Sequence, residues 1–499
     1  MADRVMIRVD GRAVQAEKGR RLKDCLPVEL PCGGRGKCGK CRVYARGELS
    51  PAGGEERALL SPRELDAGVR LACYAEILGE CEIMTGAAAA QEKKIVCEGV
   101  MPEYVLRPAF GAFGAAVDIG TTTLAARLYD AQGRVLSEET ALNPQTAWGA
   151  DVISRIEAAL KGQAEALRRA VCGAVDALLE AMARKARIDV RAIDGAVITG
   201  NTAMLCLLTG EDISPMARAP FALPKRFGEA FTAERIGLAA LKPETEVYLP
   251  ACMSAFVGAD VACAALAAQL CSGGETKLLA DIGTNGEICL RHGETLYTAS
   301  TAAGPAFEGV GISCGMRAET GAIDRVRAAG GRLEAHVIGG GEAKGICGSG
   351  LMDAVAGLLE LELLDETGAL EDEPAEIGGV SLTQKDIRMV QLAKGAVCAG
   401  IRTLLETAGV RSADSLIIAG GFGRYLNMDS AVKIGLIPPE TAKQVTIAGN
   451  GALSGAAMLL LDTAERSACL DMAVNAQTVE LSANPVFAKH YMTCMTFDV

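Results

Sequence analysis

Apolar and polar residues first alternate along the chain in the two-residue period of a β-strand. Between Val5 and Val9 every second residue is apolar, which is typical of a half-buried strand. A loop rich in Cys and Gly follows, and Cys41–Tyr44 predicts the next strand. The alternation ends near Cys81–Met84. The pattern therefore predicts a small β-rich domain at the front of the chain.

Farther along, short apolar strands alternate with helical segments, which is the pattern of an α/β fold. Ala115–Gly120 is an apolar strand that ends in a turn, and Thr123–Tyr129 is predicted as its partner. Val152–Ala186 is rich in Ala and Leu, which favours a helix. Later buried strands are predicted at Ala196–Thr199 and Leu416–Ala419.

One strand-and-turn pattern occurs twice. Leu278–Gly283 repeats Ala115–Gly120, and the two aspartates, Asp118 and Asp281, are 163 residues apart. This interval is far too long for a solenoid period, so it indicates two similar subdomains that face each other. The predicted units are a β-rich domain, a linker, two α/β subdomains and a tail, at residues 1–86, 87–112, 113–276, 277–463 and 464–499.

Composition narrows the class of protein. Half of the residues are hydrophobic but only 4% are aromatic, so the core must consist mainly of Ala, Val, Ile and Leu. The net charge of −12, without a long basic run, argues against a nucleic-acid partner. The N-terminus lacks an apolar signal core, and no long uncharged apolar stretch predicts a membrane span. We therefore expect a cytoplasmic protein whose 18 cysteines are reduced and mostly buried.

Three cysteines on one glycine-rich loop form the first candidate site. Cys32, Cys38 and Cys41 have the spacing C-x5-C-x2-C, and Cys73 is a distant fourth candidate. Plant-type [2Fe–2S] proteins use a similar set whose first interval is one residue shorter. Three thiolates on one loop can converge on two irons because the glycines allow a tight, partly left-handed backbone. The spacing favours a [2Fe–2S] cluster held by these four residues.

Other interpretations of the cysteine loop remain open at this point. A zinc site usually shows two paired ligand sets, whereas this chain has one compact set and a lone distant Cys. Buried free thiols would also satisfy the pattern. Cys25 is close enough in sequence to replace one ligand, although it lacks flanking glycines, and Cys81 is expected to face the core of a strand.

The repeated strand and turn forms the second candidate site. Each copy ends a strand at an Asp, has a Gly that permits close approach of a ligand, and continues with Thr or Asn. One such turn is common, but two, each after a buried strand, can clasp a triphosphate from opposite sides. Their carboxylates can hold Mg²⁺, usually through water. Ile417–Gly423 would provide a flat surface for adenosine, and Gly345–Gly350 before a helix is a further nucleotide contact.

These nucleotide-site motifs resemble those of the acetate and sugar kinase, Hsp70 and actin superfamily. The resemblance implies a two-subdomain actin-like, ribonuclease H-like ATPase that closes on ATP and opens after hydrolysis. The candidate nucleotide-binding residues are Gly120, Thr121, Thr122, Thr123, Gly283, Thr284, Asn285, Gly286, Gly348, Ser349, Gly420 and Gly421. The candidate catalytic residues are Asp118, Asp281, Ser300 and Glu308.

A cysteine loop fused to such an ATPase resembles the reductive activators of corrinoid proteins over nearly the whole length. The segments that carry this resemblance are Cys32–Cys41, Arg70–Cys73, Asp118–Thr123, Gly200–Met204, Ser300–Gly309, Gly321–Asp324, Gly345–Gly350, Gly420–Gly423 and Asn484–Phe487, with Met492 and Met495. Larger members carry a separate domain between linker and ATPase. We expect this chain to lack that domain.

The resemblance implies a β-grasp ferredoxin-like [2Fe–2S] domain and ATP-dependent one-electron reduction of a corrinoid protein from Co(II) to Co(I), in anaerobic methyl-transfer metabolism. It further implies an upstream low-potential donor, either a ferredoxin or a flavoprotein, and a homodimer. Ser300–Gly309 is hypothesised to face the corrinoid, with Ser300 approaching cobalt. A nucleotide-binding role for the same segment is an equal alternative.

Three other functions are compatible with parts of the chain. Activators of 2-hydroxyacyl-CoA dehydratases share the ATPase fold but hold a [4Fe–4S] cluster between two subunits, with few cysteines per chain. A metabolic kinase with a redox-sensing domain would need a base, for which Glu308 and Asp324 are the candidates. A non-enzymatic, ATP-gated binding module with an inert cluster is the third possibility.

Overall fold

The fold is taken from a computed structural model of the chain. It describes all residues except 1–3, 10–11, 27, 29, 31, 61–63, 66–67, 86–96, 98, 284, 422, 424–425, 442 and 499. Thr284 and the first half of the predicted linker are thus outside the described residues. Among the residues that are described, no helix is both long enough and apolar enough to cross a bilayer.

The N-terminal domain is a mixed five-stranded sheet with strand order β2-β1-β5-β3-β4. Strands β1 and β5 are parallel, and the remaining neighbours are antiparallel. Alternate side chains of each strand enter one apolar core, as the two-residue period predicts. The elements are β1 Arg4–Val9, β2 Arg12–Glu17, β3 Arg42–Leu49, α1 Gly54–Arg57, β4 Val69–Leu71 and β5 Ile77–Met84.

The next part of the chain forms a six-stranded sheet with helices packed on it. Its strands are β6 Phe113–Ile119, β7 Thr123–Asp130, β8 Val135–Leu142, β9 Ile193–Gly200, β10 Glu229–Thr232 and β11 Glu246–Leu249. Its helices are α2 Val152–Ala158, α3 Ala164–Ala186, α4 Thr202–Thr209, α5 Ala233–Ile236 and α6 Ala259–Ala267.

The helix predicted over Val152–Ala186 is interrupted. A π-helical turn at Ala159–Gln163 separates α2 from α3, and within it Gly162 has a φ of +87°. The break follows from glycine, which adopts this left-handed conformation without steric cost.

The remaining part builds a second six-stranded sheet and two smaller ones. Its strands are β12 Lys277–Ile282, β13 Gly286–His292, β14 Thr295–Thr301, β15 Ala322–Ala329, β16 Arg332–Val337, β17 Gly345–Ile346, β18 Ala375–Ile377, β19 Val380–Leu382, β20 Ser415–Ala419, β21 Val445–Gly449 and β22 Gln477–Thr478. Its helices are α7 Gly348–Glu360, α8 Gln384–Thr407, α9 Met428–Lys433, α10 Gly451–Leu461, α11 Glu465–Asn475 and α12 Pro485–Cys494.

The two six-stranded sheets share one topology over five strands. The first runs β8-β7-β6-β9-β11 and the second β14-β13-β12-β20-β21. In each, three strands pair antiparallel, and two more strands continue the sheet parallel to β6 in the first and to β12 in the second. The internal repeat of the sequence therefore corresponds to a structural repeat. We call the two repeats, with their helices, the first half and the second half.

Helices α6 and α10, one from each half, pack against each other between the two sheets. A Cβ atom placed at Gly455 of α10 would lie 2.0 Å from the carbonyl oxygen of Cys263 in α6. Only a glycine allows the helices to approach so closely. The chain contains few aromatic residues, and small side chains predominate at this crossing. Residues of both sheets therefore belong to one continuous apolar layer.

The predicted tail contains two helices and a short strand within residues 464–498, whereas the sequence left it as a segment of uncertain structure. Helix α11 lies on the apolar layer between the sheets, strand β22 joins the edge of the second sheet beside β14, and α12 packs on α8. Short apolar stretches gave no periodic signal, since their partners are far away in sequence.

The described part of the predicted linker is packed rather than extended. The N–H of Val100 donates to the carbonyl of Ala448, and the N–H of Ala109 donates to that of Leu460. The Arg107 guanidinium forms an ion pair with Asp462, with an Nε–Oδ1 distance of 2.9 Å. Val100, Arg107 and Ala109 thus bind the second half, whereas the N–H groups of Gly111 and Ala112 donate to Asp194 of the first half.

We predict that Gly455→Ala lowers the free energy of unfolding by at least about 1–3 kcal/mol, because overpacking forces the two helices apart. The matched control is Gly173→Ala, on the exposed side of α3, where an added Cβ meets nothing within 4 Å. That change should stabilise the protein by about 0.5–1 kcal/mol. Urea unfolding of both variants measures the difference, and equal effects would contradict the proposed helix contact.

Candidate functional site

The four predicted cluster cysteines lie together in the N-terminal domain as two pairs. Cys41, just before β3, and Cys73, just after β4, have their sulfur atoms 3.2 Å apart. Cys32 and Cys38 share a hydrogen bond between their side chains. The distant Cys73 thus reaches one cysteine of the loop, and a common metal site for all four residues stays a prediction.

A buried carboxylate holds the segment that carries Cys73. Glu56, 1% exposed, accepts two hydrogen bonds from the Arg70 guanidinium and one from the N–H of Leu71. Farther along, the Tyr74 hydroxyl donates to the carbonyl of Gly36 at 2.9 Å. A Cβ at Gly36, whose φ is +71°, would lie 2.2 Å from that hydroxyl, so only glycine fits this approach.

Within each pair, the pKa of one thiol is lowered and the pKa of the other is raised. The hydrogen bond between Cys41 and Cys73 lowers the pKa of Cys41 to about 7 and raises the pKa of Cys73 far above its ordinary value. Burial acts to raise the pKa of Cys32, but backbone N–H groups of Lys37 and Arg35, with the Cys38 thiol, lower it overall. One thiol of each pair is thus favoured as the thiolate.

The donor set consists of two cysteine pairs. Within the described residues, no group of three or more His, Cys, Asp or Glu side chains is placed to hold one metal ion. In a [2Fe–2S] centre the four ligands are divided as two for each iron, which two neighbouring cysteine pairs can supply.

Four carboxylates form a second cluster between the two halves. Asp118 and Asp281 are the penultimate residues of β6 and β12, Asp260 lies in the first turn of α6, and Glu287 is in β13. All four are partly buried. Glu287 is directly opposite Asp281 in the sheet register, and Ser300 of β14 is directly opposite Glu287.

Burial and mutual repulsion make these carboxyls weak acids. Burial raises the pKa of Asp118 to about 7 and that of Asp281 to about 6. Burial, and next the charge of Asp118, raise the pKa of Asp260 to about 7. The pKa of Glu287 is also raised well above its ordinary value, by burial and by Asp260 and Asp281. A cluster that resists ionisation in this way is suited to a cation.

Contacts across the cleft join the two halves at this cluster. Asn450, the N-cap of α10, donates from Nδ2 to Asp118 Oδ2 at 3.1 Å. On the same side, Thr122 donates to Glu308 Oε2 at 3.5 Å. Both contacts connect a residue of the first half with one of the second. A ligand bound between the halves would therefore be adjacent to the contacts that join them.

The two predicted phosphate turns have similar backbones. The N–H of Gly120 donates to the carbonyl of Thr123 at 2.9 Å, and the N–H of Gly283 donates to that of Asn285 at 3.0 Å. In the first turn, the Thr121 hydroxyl accepts from Asn201 at 3.2 Å. Each turn follows a strand that ends at the carboxylate cluster, so both face the same cleft.

The predicted adenosine loop is adjacent to the second turn. Gly420 has a φ of +86°, and a Cβ there would lie 2.4 Å from Asp281 Oδ1. Gly421 is exposed, with open space where a side chain would be.

Other predicted residues have structural contacts instead. A Cβ at Gly286 would collide with Thr301. Gly348 and Ser349 begin α7, and the Ser349 hydroxyl donates to the carbonyl of Asp324.

Two sequence-based expectations about Ser300–Gly309 differ from the structure. Ser300 is inside strand β14, not in a loop. The rest is packed, because Ala306 and Phe307 are 1% and 2% exposed within the core of the second half. Asp324, a candidate base, is hydrogen-bonded to His336. These positions put Ser300 beside the carboxylates, and its proposed approach to cobalt stays a prediction.

Comparisons with known proteins place the chain in a family. A family model described as the RACo middle region matches residues 113–272, and one described as the C-terminal ASKHA domain of RACo matches residues 275–498. The corrinoid activation enzyme RamQ of Eubacterium limosum is 34% identical, over 76% of this chain and 69% of that protein. This chain belongs to the RACo family of corrinoid reductive activators.

Two further relatives agree with this assignment. A Co(II) methylated amine-specific corrinoid protein reductase of Methanosarcina barkeri is 25% identical over 77% of each chain. A solved structure, described as a reductive activator for a corrinoid, iron-sulfur protein, aligns with a TM-score of 0.69 and 26% identity, covering 99% of this chain and 98% of that one. The predicted α/β fold with an ASKHA ATPase domain is thereby confirmed.

The RACo middle region matches residues 113–272, which form the first half. The sequence assigned these residues to the first ATPase subdomain, because the strand and turn at Ala115–Gly120 recur at Leu278–Gly283. The expectation that the chain lacks a further domain between linker and ATPase stays a prediction.

Sequence reasoning overlooked several polar residues of the cleft, namely Asn201, Asp260, Glu287 and Asn450. Each had a local signal. A lone carboxylate interrupts the apolar strand at Glu287, and Asp260 and Asn450 each occur within two residues of a glycine at a helix start. Helix starts and strand ends are where buried polar groups gather around anions.

We predict that Cys73→Ser and Cys38→Ser each lose bound iron and visible absorption after anaerobic reconstitution, because each breaks one cysteine pair. Cys25→Ala is the matched control, since Cys25 belongs to the same domain but to neither pair. Iron and sulfide analysis measures the loss. Retention of a full cluster in Cys73→Ser would contradict the assignment of that ligand.

We also predict that the nucleotide-free chain becomes less stable as pH rises from about 4 to about 8. The pKa values of about 6 for Asp281 and about 7 for Asp118 and Asp260 exceed the ordinary 3.8, so the folded state binds more protons than the unfolded state in that range. Asp260→Asn should flatten this dependence. Urea midpoints across the range measure it, and a stability that rises toward pH 8 would contradict the geometry.

Proposed function

We propose that this chain uses ATP to drive the one-electron reduction of a corrinoid protein from Co(II) to Co(I). The observation that carries the proposal is the contact between the cysteine loop and the ATPase cleft region within one molecule. Lys40, between Cys38 and Cys41, donates from Nζ to the carbonyl of Ile312 at 3.1 Å. This joins a redox loop to the second half of a nucleotide-dependent fold.

The cleft residues would hold Mg-ATP. The two turns would contact the phosphates, and the four carboxylates would hold Mg²⁺ through water, since no group of three or more described His, Cys, Asp or Glu side chains is placed to ligate one ion directly. The Gly420–Gly421 backbone leaves room for adenosine. Glu308 lies across the cleft from Thr122, where it can orient an attacking water.

The cysteine pairs would hold a [2Fe–2S] cluster. When bound, such a cluster supplies a one-electron donor at a potential near about −400 mV. Cys32 with Cys38 and Cys41 with Cys73 provide the four sulfur ligands, and Lys40 and Arg35 lie nearby as cations. Arg35 pairs with Glu157 of the first half at 2.7 Å, so the loop touches both halves.

ATP matters because the cobalt couple lies below what ordinary donors reach. For one electron, each tenfold change in equilibrium corresponds to about 59 mV. A protein can shift the cobalt couple only if it binds the two redox states with different affinities. We propose that the ATP-bound, closed cleft grips the Co(II) partner and that hydrolysis releases the Co(I) product.

The remaining features of the proposal concern the surroundings of the protein. A low-potential ferredoxin or flavoprotein would supply the electron to this chain. The protein would act as a homodimer in an anaerobic cytoplasm. The relatives' names support the corrinoid partner. Ser300 faces the nucleotide side in this proposal, because its strand neighbour is Glu287.

The test is an anaerobic activation assay with a Co(II) corrinoid protein, a chemical reductant and Mg-ATP. We expect loss of the Co(II) absorption and growth of the Co(I) absorption only when ATP and the iron-loaded chain are both present. Asp118→Asn should lose activation and ATP hydrolysis while keeping the cluster. Cys73→Ser should lose activation while still binding ATP.

Two outcomes would contradict the proposed function. Phosphorylation of a small hydroxylated compound, with no effect of the corrinoid protein on ATP turnover, would favour a kinase. Reduction of the cluster without transfer to any corrinoid protein would leave only a binding module. Ser300→Ala serves as a further comparison, since normal ATPase with normal activation would remove the cobalt-contact hypothesis.

A further inference from the structure

A second close pair of cysteines lies in the second half, where the C-terminal helix packs on α8. Cys398 of α8 and Cys494 at the end of α12 have their sulfur atoms 3.1 Å apart. They are 3% and 4% exposed and separated by 96 residues in sequence. Neither belongs to the predicted cluster, and the activation reaction uses neither.

Two cations lie beside this pair. Arg402 Nη1 is 3.9 Å from Cys494 Sγ. Lys394, one turn before Cys398, is 1% exposed and donates from Nζ to the carbonyl of Thr496. The hydrogen bond between Cys494 and Cys398, and after it the charges of Arg402 and Lys394, lower the pKa of Cys494 to about 7 against the effect of burial. Positive charge next to a thiol favours the reactive thiolate.

The backbones at this contact are already close. A Cβ at Gly395 would lie 3.2 Å from the carbonyl oxygen of Cys494, so α8 presents a glycine where the end of α12 meets it. A disulfide needs an S–S distance of about 2.05 Å, so the two sulfurs would have to approach by only about 1 Å. Side-chain rotation can supply a displacement of this size.

We propose that Cys398 and Cys494 are a redox modification site that forms a reversible disulfide by exchange with a small-molecule disulfide. The Cys494 thiolate attacks one sulfur of the reagent, forming a mixed disulfide and releasing one thiolate. The Cys398 thiol, after losing its proton to solvent, attacks the Cys494 sulfur and releases the second thiolate. Two protein thiols are oxidised, and one small disulfide is reduced to two thiols.

The bond would replace weaker contacts that hold the chain end. In the dithiol form, Gln391 donates to the carbonyl of Met495 at 2.9 Å, and the N–H of Phe497 donates to the carbonyl of Glu366 at 2.7 Å. The outer side of α12 is open, with Met492 78% exposed. Brief opening of this terminal helix would therefore admit the reagent, and the disulfide would then close the helix onto α8.

Helix α8 connects this site with the redox loop. Its N-terminal Asp386 accepts a hydrogen bond from the N–H of Ser313 at 2.7 Å. Ser313 follows Ile312, whose carbonyl accepts from Lys40. Oxidising conditions would thus form a disulfide at one end of α8, and the other end of α8 supports the contact between Lys40 and Ile312. In reducing cytoplasm, disulfides of this kind are transient and serve in sensing.

The chain contains a matched control pair. Cys263 and Cys469 are also buried and share a side-chain hydrogen bond. Burial, then the Cys469 thiol, and after them the charge of the Asp260 carboxyl raise the pKa of Cys263. Cys271 is exposed and reports that the reagent is active. We expect Cys271 to react, Cys398 and Cys494 to cross-link, and Cys263 and Cys469 to remain thiols.

The experiment treats the iron-loaded full chain with glutathione disulfide without oxygen, alkylates the remaining thiols and maps the peptides by mass spectrometry. The expected result is a linked peptide pair containing Cys398 and Cys494 and the loss of two alkylatable thiols at these positions, reversed by dithiothreitol. Cys398→Ser should stop at a mixed disulfide on Cys494. Cys494→Ser should leave Cys398 unmodified.

The proposal is overturned if Cys398 and Cys494 both stay alkylatable once Cys271 has reacted, or if the control pair cross-links equally fast. Should the Ser variants fail to fold, Arg402→Gln replaces them, and its cross-linking should be slower than in the natural chain. Hydrogen exchange over residues 485–494 gives a second measurement. Oxidation should slow that exchange, and unchanged exchange would contradict fixation of the helix.

Discussion

The close crossing of α6 and α10 is the constraint on which the rest of the fold depends. Gly455 lets the two helices touch at the backbone, and this contact brings together the starts of two helices from different halves. Asp260 and Asn450 stand at those starts, next to Asp118. A larger side chain at the crossing would separate the halves and, with them, the groups that must act on one nucleotide.

The doubled ATPase fold could be predicted because its signal is local and repeated. Each copy places an aspartate one residue before the end of an apolar strand, so the turn and its chemistry are readable from six residues. Asp260 and Asn450 were not readable in this way. Their roles arise from a contact between two helices that are distant in sequence. The only local sign of this contact is a glycine at the start of each helix, Gly258 and Gly451.

The cysteine loop shows the same division between local and distant information. Its spacing predicts the ligand set, and the structure brings the four residues together in pairs. The pairing itself depends on Glu56, which fixes Arg70 and Leu71 so that Cys73 reaches Cys41. A buried glutamate in a short helix carries no sequence signature of that role. Similarly, the C-terminal residues lacked periodicity because they complete surfaces built by α8 and β14.

The attachment of residues 99–112 has a mechanical consequence. This segment precedes the first half in the sequence, yet most of its bonds are to the second half, beside β21 and the end of α10, and its last two residues donate to Asp194 of the first half. The N-terminal domain is in contact with both halves, since Arg35 pairs with Glu157 of the first and Lys40 donates to the carbonyl of Ile312 of the second. Under the proposed closure on ATP, a change in the angle between the halves would move these two points of attachment relative to each other.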